Sequence, residues 1–198
     1  MLNIYLIRHG ETAWNADNNR YTGRTDLPLT EKGWQQAEAL RQQLNKINID
    51  AVYSSPLQRA YTTAQIATGV DPIKDDRLVE IDWGMWEGKT KEAFTAEDPA
   101  LWNDWMRDPG KARAGGTGEN GSDVVKRVDD FFASFYQRHK AGNYLIAAHN
   151  GVNRFYLAHQ LGMPLKNYRR FFQENSALTM FTIEEDGSFV LKCLNSRG

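Results

Sequence analysis

The segment IYLIRHG, residues 4–10, decides how the rest of the chain is interpreted. Its first four residues form a short apolar run rich in β-forming side chains, and the run stops at Arg8-His9-Gly10. A short apolar run that leads into a polar, glycine-containing turn is typical of a buried strand in a parallel sheet. We therefore predict a first strand whose carboxyl end delivers Arg8 and His9 to a loop.

Downstream of this segment the chain alternates between strand and helix signals. Further strands are predicted at residues 51–53, 144–148, 177–183 and 189–194. Helices are predicted from Thr30, after Ser55-Pro56, at residues 122–139 and at residues 151–161. Strand–helix alternation with a final hairpin predicts a three-layer α/β/α sandwich on a mostly parallel sheet with an antiparallel edge.

The pattern changes at about residues 89–121, which are Trp-rich and helical and then glycine-rich. We interpret this stretch as an insertion within a single domain over residues 1–198. Its glycine-rich end, residues 115–121, is expected to be a mobile connection. A helical stripe of apolar residues in the insertion could pack on the sheet, pack on a partner subunit or form a wall of a substrate site. The stripe contains Leu101, Trp102, Trp105 and Met106.

Composition and charge exclude several classes of protein. Of 198 residues, 41% are hydrophobic and 25% are charged, and 24 Lys and Arg oppose 25 Asp and Glu. This balance predicts a globular domain that attracts neither nucleic acid nor a membrane. Cys193 stands alone, so no intrachain disulfide can form, and we expect it to be a small buried residue. Without paired histidines or cysteines we expect no metal and no cofactor, and without a signal-peptide pattern we expect a cytoplasmic protein.

Cationic and imidazole side chains follow three of the predicted strands. The first strand ends at Arg8 and His9, the second leads to Arg59, and the third ends at His149. Ligands of open α/β sheets bind outside the carboxyl ends of the strands, so these four groups are expected to meet at one edge. Such a cluster repels itself unless an anion binds, and arginine suits phosphate oxygens. The sequence therefore predicts a phosphate-sized anion site.

Five blocks of the sequence resemble the motifs of the histidine phosphatase superfamily, which includes the cofactor-dependent phosphoglycerate mutases. In family order they are RHGETAWN at 8–15, YTGRTDLPLTEKG at 21–33, SSPLQRA at 54–60, LVEIDWGMWEG at 78–88 and AHNG at 148–151. The resemblance implies a phosphoglycerate mutase-like fold and a small phosphorylated metabolite as the substrate.

The resemblance also implies roles for individual residues. His9 would be the nucleophile that forms a phosphohistidine, and Glu80 would donate and accept the proton. Charge on the phosphate oxygens would be neutralised by Arg8, Arg59 and His149. Hydrogen bonds to the phosphate or substrate would come from Asn15, Thr22, Gly23, Asn150 and Gly151.

The sequence departs from the family at several positions. Asn150 stands where glycine is usual, and Asn153 replaces an apolar residue, so a role for Arg154 transfers only weakly. The insertion holds only separated arginines instead of the adjacent pair of the mutases, and the pair at 169–170 lies too late in the chain. This favours hydrolysis of a phosphomonoester over phosphoryl transfer. A mutase-like phosphotransferase and a catalytically silent phosphate-binding module remain alternatives, and a homodimer is compatible with the sequence.

Overall fold

One six-stranded sheet organises the chain, of which the computed structural model describes residues 1–197. Its strands are β1 (Leu2–Arg8), β2 (Ala51–Ser54), β3 (Ile73–Lys74), β4 (Gly142–Ala148), β5 (Leu178–Ile183) and β6 (Phe189–Ser196). Their order across the sheet is β3-β2-β4-β1-β5-β6. Strands β1 to β4 run parallel, and β5 and β6 add an antiparallel edge. The predicted fold class is confirmed.

Helices cover both faces of this sheet. They are α1 (Ala13–Ala16), α2 (Glu31–Leu44), α3 (Gln58–Thr68), α4 (Lys91–Glu97), α5 (Pro99–Arg107), α6 (Gly121–Arg138) and α7 (Asn150–Gln160). Side chains of a strand alternate between its two faces. Tyr5 and Ile7 of β1 accordingly pack with α2 and α3, whereas Ile4 and Leu6 pack in the core that contains α6 and α7.

The start of α2 was predicted correctly from its capping residue, whereas the start of α3 was not. Thr30 accepts a hydrogen bond from the Gly33 amide at 3.1 Å and so caps α2 as predicted. The prediction that α3 begins directly after Ser55 is wrong, because the helix begins at Gln58. The Ser55 hydroxyl instead lies 2.8 Å from a ring nitrogen of His149.

Most of the apolar stripe of the insertion packs in the core of this same chain: Leu101 and Trp102 pack against the core, Trp105 is part of it, and Met106 is exposed. Trp105 of α5 is completely buried, and its ring makes edge-to-face contacts with Trp83, Trp86 and Phe155. Its indole nitrogen donates a hydrogen bond to the Tyr168 hydroxyl at 3.1 Å. Helix α5 is thereby fixed to the segment that follows Glu80 and to α7.

Two local expectations are wrong. The glycine-rich end of the insertion is packed rather than loose: a Cβ on Gly115, which has a φ of +54°, would lie 2.3 Å from the Trp83 carbonyl oxygen. Only glycine fits this close approach of two backbones. Cys193 is exposed. It lies on β6, which is paired on one side only, and its side chain faces outward.

Replacing Trp105 with alanine tests whether the insertion contributes to the stability of the whole fold. The substitution removes a buried indole and leaves a cavity, so the free energy of unfolding should fall by about 3–5 kcal/mol in denaturant titration. The matched control is Trp34→Ala on α2, where the side chain is half exposed; it should change stability by about 0.5 kcal/mol or less. Equal effects of the two substitutions would show that α5 is not part of the core.

Candidate active site

The pairing of β1 with β4 places two histidines side by side. Arg8 at the end of β1 lies opposite Ala148 at the end of β4. The residues that follow are His9 and His149, and the centroids of their rings are 5.2 Å apart. The His9 amide also donates to the Ala148 carbonyl oxygen at 3.2 Å, which extends the register into the loop.

Hydrogen bonding fixes the tautomer of His9. Its Nδ1 lies 2.7 Å from the carbonyl oxygen of Gly10, which can only accept, so Nδ1 carries the proton. The lone pair therefore lies on Nε2. Burial, followed by the positive charges of Arg59 and Arg8, lowers the pKa of His9 well below its ordinary value of 6.5. His9 is thus a neutral imidazole at neutral pH, the form that acts as a nucleophile.

His149 contacts Ser55 through one ring nitrogen. Its Nε2 lies 2.8 Å from Ser55 Oγ, and the Ser55 oxygen accepts a hydrogen bond from the Leu57 amide. The Ser55 hydroxyl keeps a proton and a second lone pair, so it can donate to Nε2 or accept from it; donation leaves the imidazole proton on Nδ1, as in His9. This Nδ1 is buried without a protein partner. Burial and the charge of Arg59 lower the pKa of His149 well below 6.5.

Two buried guanidinium groups flank the histidines. Arg59 has no exposed surface, and it donates to the carbonyl oxygens of Thr25 and Gly23 at 2.8 and 2.7 Å. Arg8 is 9% exposed and donates to the Gln173 carbonyl oxygen at 2.8 Å. Burial lowers the pKa of Arg8 to about 10, and its Nε is unpartnered, as is that of Arg59. Neither arginine forms an ion pair with a carboxylate within residues 1–197.

The carboxylate of Glu80 is buried at the start of α7. One of its oxygens accepts from the amides of Ile81 and Val152 at 2.9 and 3.0 Å, and the other accepts from the Gly151 amide at 3.0 Å. The helix N-terminus favours a negative charge at this position. Glu80 therefore uses the amide of Gly151, which was predicted to bind the phosphate or substrate.

Of four neutral residues predicted for the site, three line the cavity and one does not. Asn15 accepts hydrogen bonds from Thr12 through its Oδ1, which leaves its amide NH₂ as a donor. Asn15, Thr22 and Asn150 all line the cavity beside His9, and Asn150 Oδ1 is buried there without a partner. Gly23 does not line the cavity, because its amide donates to the Glu87 carboxylate at 2.9 Å.

A cavity of about 290 Å³ opens in front of His9. Of the predicted site residues, seven line it: Arg8, His9, Asn15, Thr22, Glu80, Asn150 and Gly151. Arg59 and His149 do not line it. The His149 ring lies 5.2 Å from the His9 ring, and the charge of Arg59 lowers the pKa of His9 after the larger effect of burial.

The cavity also contains residues that the sequence analysis missed or set aside. They are Tyr21, Lys91, Arg154, Tyr168 and Arg169 among others. Arg154 and Arg169 line the cavity although neither was predicted as a site residue. Arg154 lies four residues after Asn150 on α7, so helical spacing could have placed the two on one face. Arg169 carries no such signal, because only the packing of the short helical turn at Leu165–Arg170 on α7 brings it to the cavity.

Within residues 1–197, no group of three or more histidine, cysteine, aspartate or glutamate side chains is arranged to hold a metal ion. No helix in the described part of the chain has the length and apolarity needed to cross a membrane.

The fold and the cavity together define an α/β protein with a cavity at the carboxyl ends of its strands that imidazole and guanidinium groups line. The histidine phosphatase superfamily (branch 1) matches residues 4–197. The chain belongs to this superfamily, as its five sequence blocks predict.

Curated and solved relatives cover nearly the whole chain. Phosphoserine phosphatase 1 from Hydrogenobacter thermophilus is 34% identical over 195 residues, which are 97% of this chain and 92% of that protein. A mutant phosphoserine phosphatase from Entamoeba histolytica in complex with phosphoserine is similar with a TM-score of 0.89 at 29% identity, and the match covers 99% of this chain and 98% of the other. The alpha-ribazole phosphatase from Shigella flexneri has a TM-score of 0.84 at 32% identity, covering 98% and 96% of the two chains.

The buried neutral histidines predict a pH-dependent stability. Because the folded-state pKa values of His9 and His149 lie below 6.5, the unfolded chain binds more protons, and stability falls as the pH drops below 6.5. Each histidine contributes up to about 1.4 kcal/mol per pH unit. In urea titrations at pH 7, 6 and 5, His149→Asn should show a shallower loss of stability than the wild type. An unchanged slope would contradict the burial of a neutral His149.

Proposed function

We propose that this chain is a phosphomonoesterase that hydrolyses a small phosphorylated metabolite through a phosphohistidine on His9. The observation that carries the proposal is the neutral His9 ring, whose Nδ1 donates to the Gly10 carbonyl while Nε2 is left as a nucleophile beside two buried guanidinium groups. Relatives named as phosphatases over nearly the full chain support a hydrolase of small metabolites.

In the first step, the phosphate group of the substrate occupies the space next to His9, His149 and the two buried arginines. Nε2 of His9 attacks phosphorus, and the bond from phosphorus to the ester oxygen breaks. The guanidinium groups and the unpartnered Nδ1 of His149 stabilise the charge on the non-bridging oxygens. For this step Glu80 must carry a proton, which it gives to the departing alkoxide, so that the group leaves as an alcohol.

In the second step, a water molecule attacks phosphorus of the phosphohistidine. Glu80, now a carboxylate, accepts one proton of this water, and the bond between phosphorus and His9 Nε2 breaks. Inorganic phosphate leaves, and both side chains return to their starting states. The three backbone amides fix the position of the Glu80 carboxylate at the cavity wall in the form that accepts this proton.

Two features favour hydrolysis over the alternatives. The insertion supplies no arginine to the cavity: Arg107 is exposed and pairs with Asp104, and Arg113 donates to the Gly118 carbonyl oxygen. A catalytically silent binding module would not need both an unprotonated nucleophile and a buried carboxylate in one cavity. Rapid interconversion of 2- and 3-phosphoglycerate without release of phosphate would instead support the phosphotransferase.

Replacing His9 tests the covalent step. His9→Ala should lower phosphate release by at least about 10³-fold and abolish trapping of a ³²P-labelled protein by rapid acid or alkaline quench. His159→Ala is the control, since that imidazole is about half exposed and lies outside the cavity; it should retain wild-type activity. Substantial turnover by His9→Ala would rule out the mechanism.

Replacing Glu80 separates its role as an acid from a purely structural role. Glu80→Gln should slow hydrolysis of an alkyl phosphate by about 10²–10⁴-fold, because the alkoxide then leaves without a proton. Release of p-nitrophenolate, which leaves readily as an anion, should slow much less in the burst phase of a rapid-mixing experiment. Equal losses for both esters would indicate that Glu80 only shapes the site.

A further inference from the structure

The outer part of the cavity contains three cations without acidic partners. Lys91, Arg154 and Arg169 line it, and none of them forms an ion pair within the described residues. Arg20, which also lines the cavity, differs because it pairs with Asp17 at 2.6 Å. Glu80 and Glu92 also line the cavity, but neither forms an ion pair with these cations. The cations outnumber the carboxylates, so this arrangement favours an anion from outside the chain.

Aromatic side chains hold these cations in place. The Arg154 guanidinium lies 5.4 Å from the centre of the Tyr168 ring, and its Nε donates to the Tyr168 carbonyl oxygen at 3.2 Å. Arg169 donates to the Tyr21 hydroxyl at 3.1 Å and lies 5.2 Å from the centre of the Trp102 ring. These contacts fix the two guanidinium groups and leave their other N–H groups available to a ligand.

The cluster is separate from the groups that serve the transferred phosphate but lies close to them. Burial lowers the pKa of Arg154, and the charge of Arg169 lowers it further. Arg154 in turn acts on Arg8, whose pKa it lowers after the larger effect of burial. Because Arg8 already lines the cavity beside His9, the additional positive charge of Arg154 and Arg169 calls for a second anionic group in the same ligand.

We propose that Arg154 and Arg169, with Lys91 at the cavity mouth, form a second anion subsite. The preferred substrate is then a phosphomonoester whose alcohol carries a carboxylate or a second phosphate. This rests on the proposed function, since the first phosphate is taken to lie at His9. A cavity of about 290 Å³ restricts the alcohol to a small one.

Three esters with a three-carbon skeleton test the subsite. They are 3-phosphoglycerate, with a carboxylate; 1,3-propanediol bisphosphate, with a second phosphate; and glycerol 3-phosphate, with no second anion. The wild-type enzyme should have a higher kcat/KM for at least one of the two esters that carry a second anion than for glycerol 3-phosphate. The better of those two identifies which anion the subsite takes.

Variants of the two arginines assign the effect to the subsite. Arg154→Met and Arg169→Met should each lower kcat/KM for the preferred ester by about 10–100-fold, mainly through KM, because each removes a charge-assisted hydrogen bond. For glycerol 3-phosphate the change should stay below about threefold. The matched control is Arg170→Met, which removes an exposed arginine next to Arg169 and should leave all three values unchanged.

Other results would overturn the subsite. They are equal losses for all three esters, no loss in either variant, or a wild-type enzyme that does not prefer an ester with a second anion. If Arg154→Met does not fold, Arg169→Met provides the same comparison. Failure of the wild type to release phosphate from any ester would refute the proposed function instead, so the two failures are distinguishable.

Discussion

The parallel register of β1 and β4 is the constraint on which the site depends. It sets the residues after the two strands next to each other, so that the rings of His9 and His149 lie 5.2 Å apart. One nitrogen of each ring is hydrogen-bonded within the protein. His9 binds the Gly10 carbonyl oxygen, and His149 binds the Ser55 hydroxyl. With Ser55 as the donor to His149, the nitrogen that remains is an acceptor on His9 and a donor on His149. One ring is thus suited to attack phosphorus and the other to bind a phosphate oxygen.

Positive charge around these rings has two consequences. The buried Arg8 and Arg59 donate hydrogen bonds to backbone carbonyl oxygens and form no ion pairs with carboxylates of the described residues. After burial, their charge is a further cause that lowers the pKa values of both histidines. The same unneutralised charge provides the binding free energy for a phosphate dianion. Glu80 is the buried carboxylate of the site, and its oxygens are held by amides at the start of α7.

Periodicity and turn chemistry were enough to predict the sheet, its antiparallel edge and the long helices, because each of these elements buries a regular apolar face. The two-residue strand β3 and the four-residue helix α1 carry too little pattern to be predicted. Strand ends and the family motifs identified the residues around His9, since these follow directly from where parallel strands end. Gly23 and Arg169 could not be placed in the same way. Their positions depend on which partner a loop amide or a late helical turn meets in the folded chain, and no local rule specifies that.

The most direct test of this account is ¹⁵N–¹H NMR of the imidazole nitrogens in the free protein at pH 6 to 7. We expect both His9 and His149 to be neutral, with the proton of each ring on Nδ1 and the lone pair on Nε2. A doubly protonated His9, or a His9 ring that carries its proton on Nε2, would contradict the account.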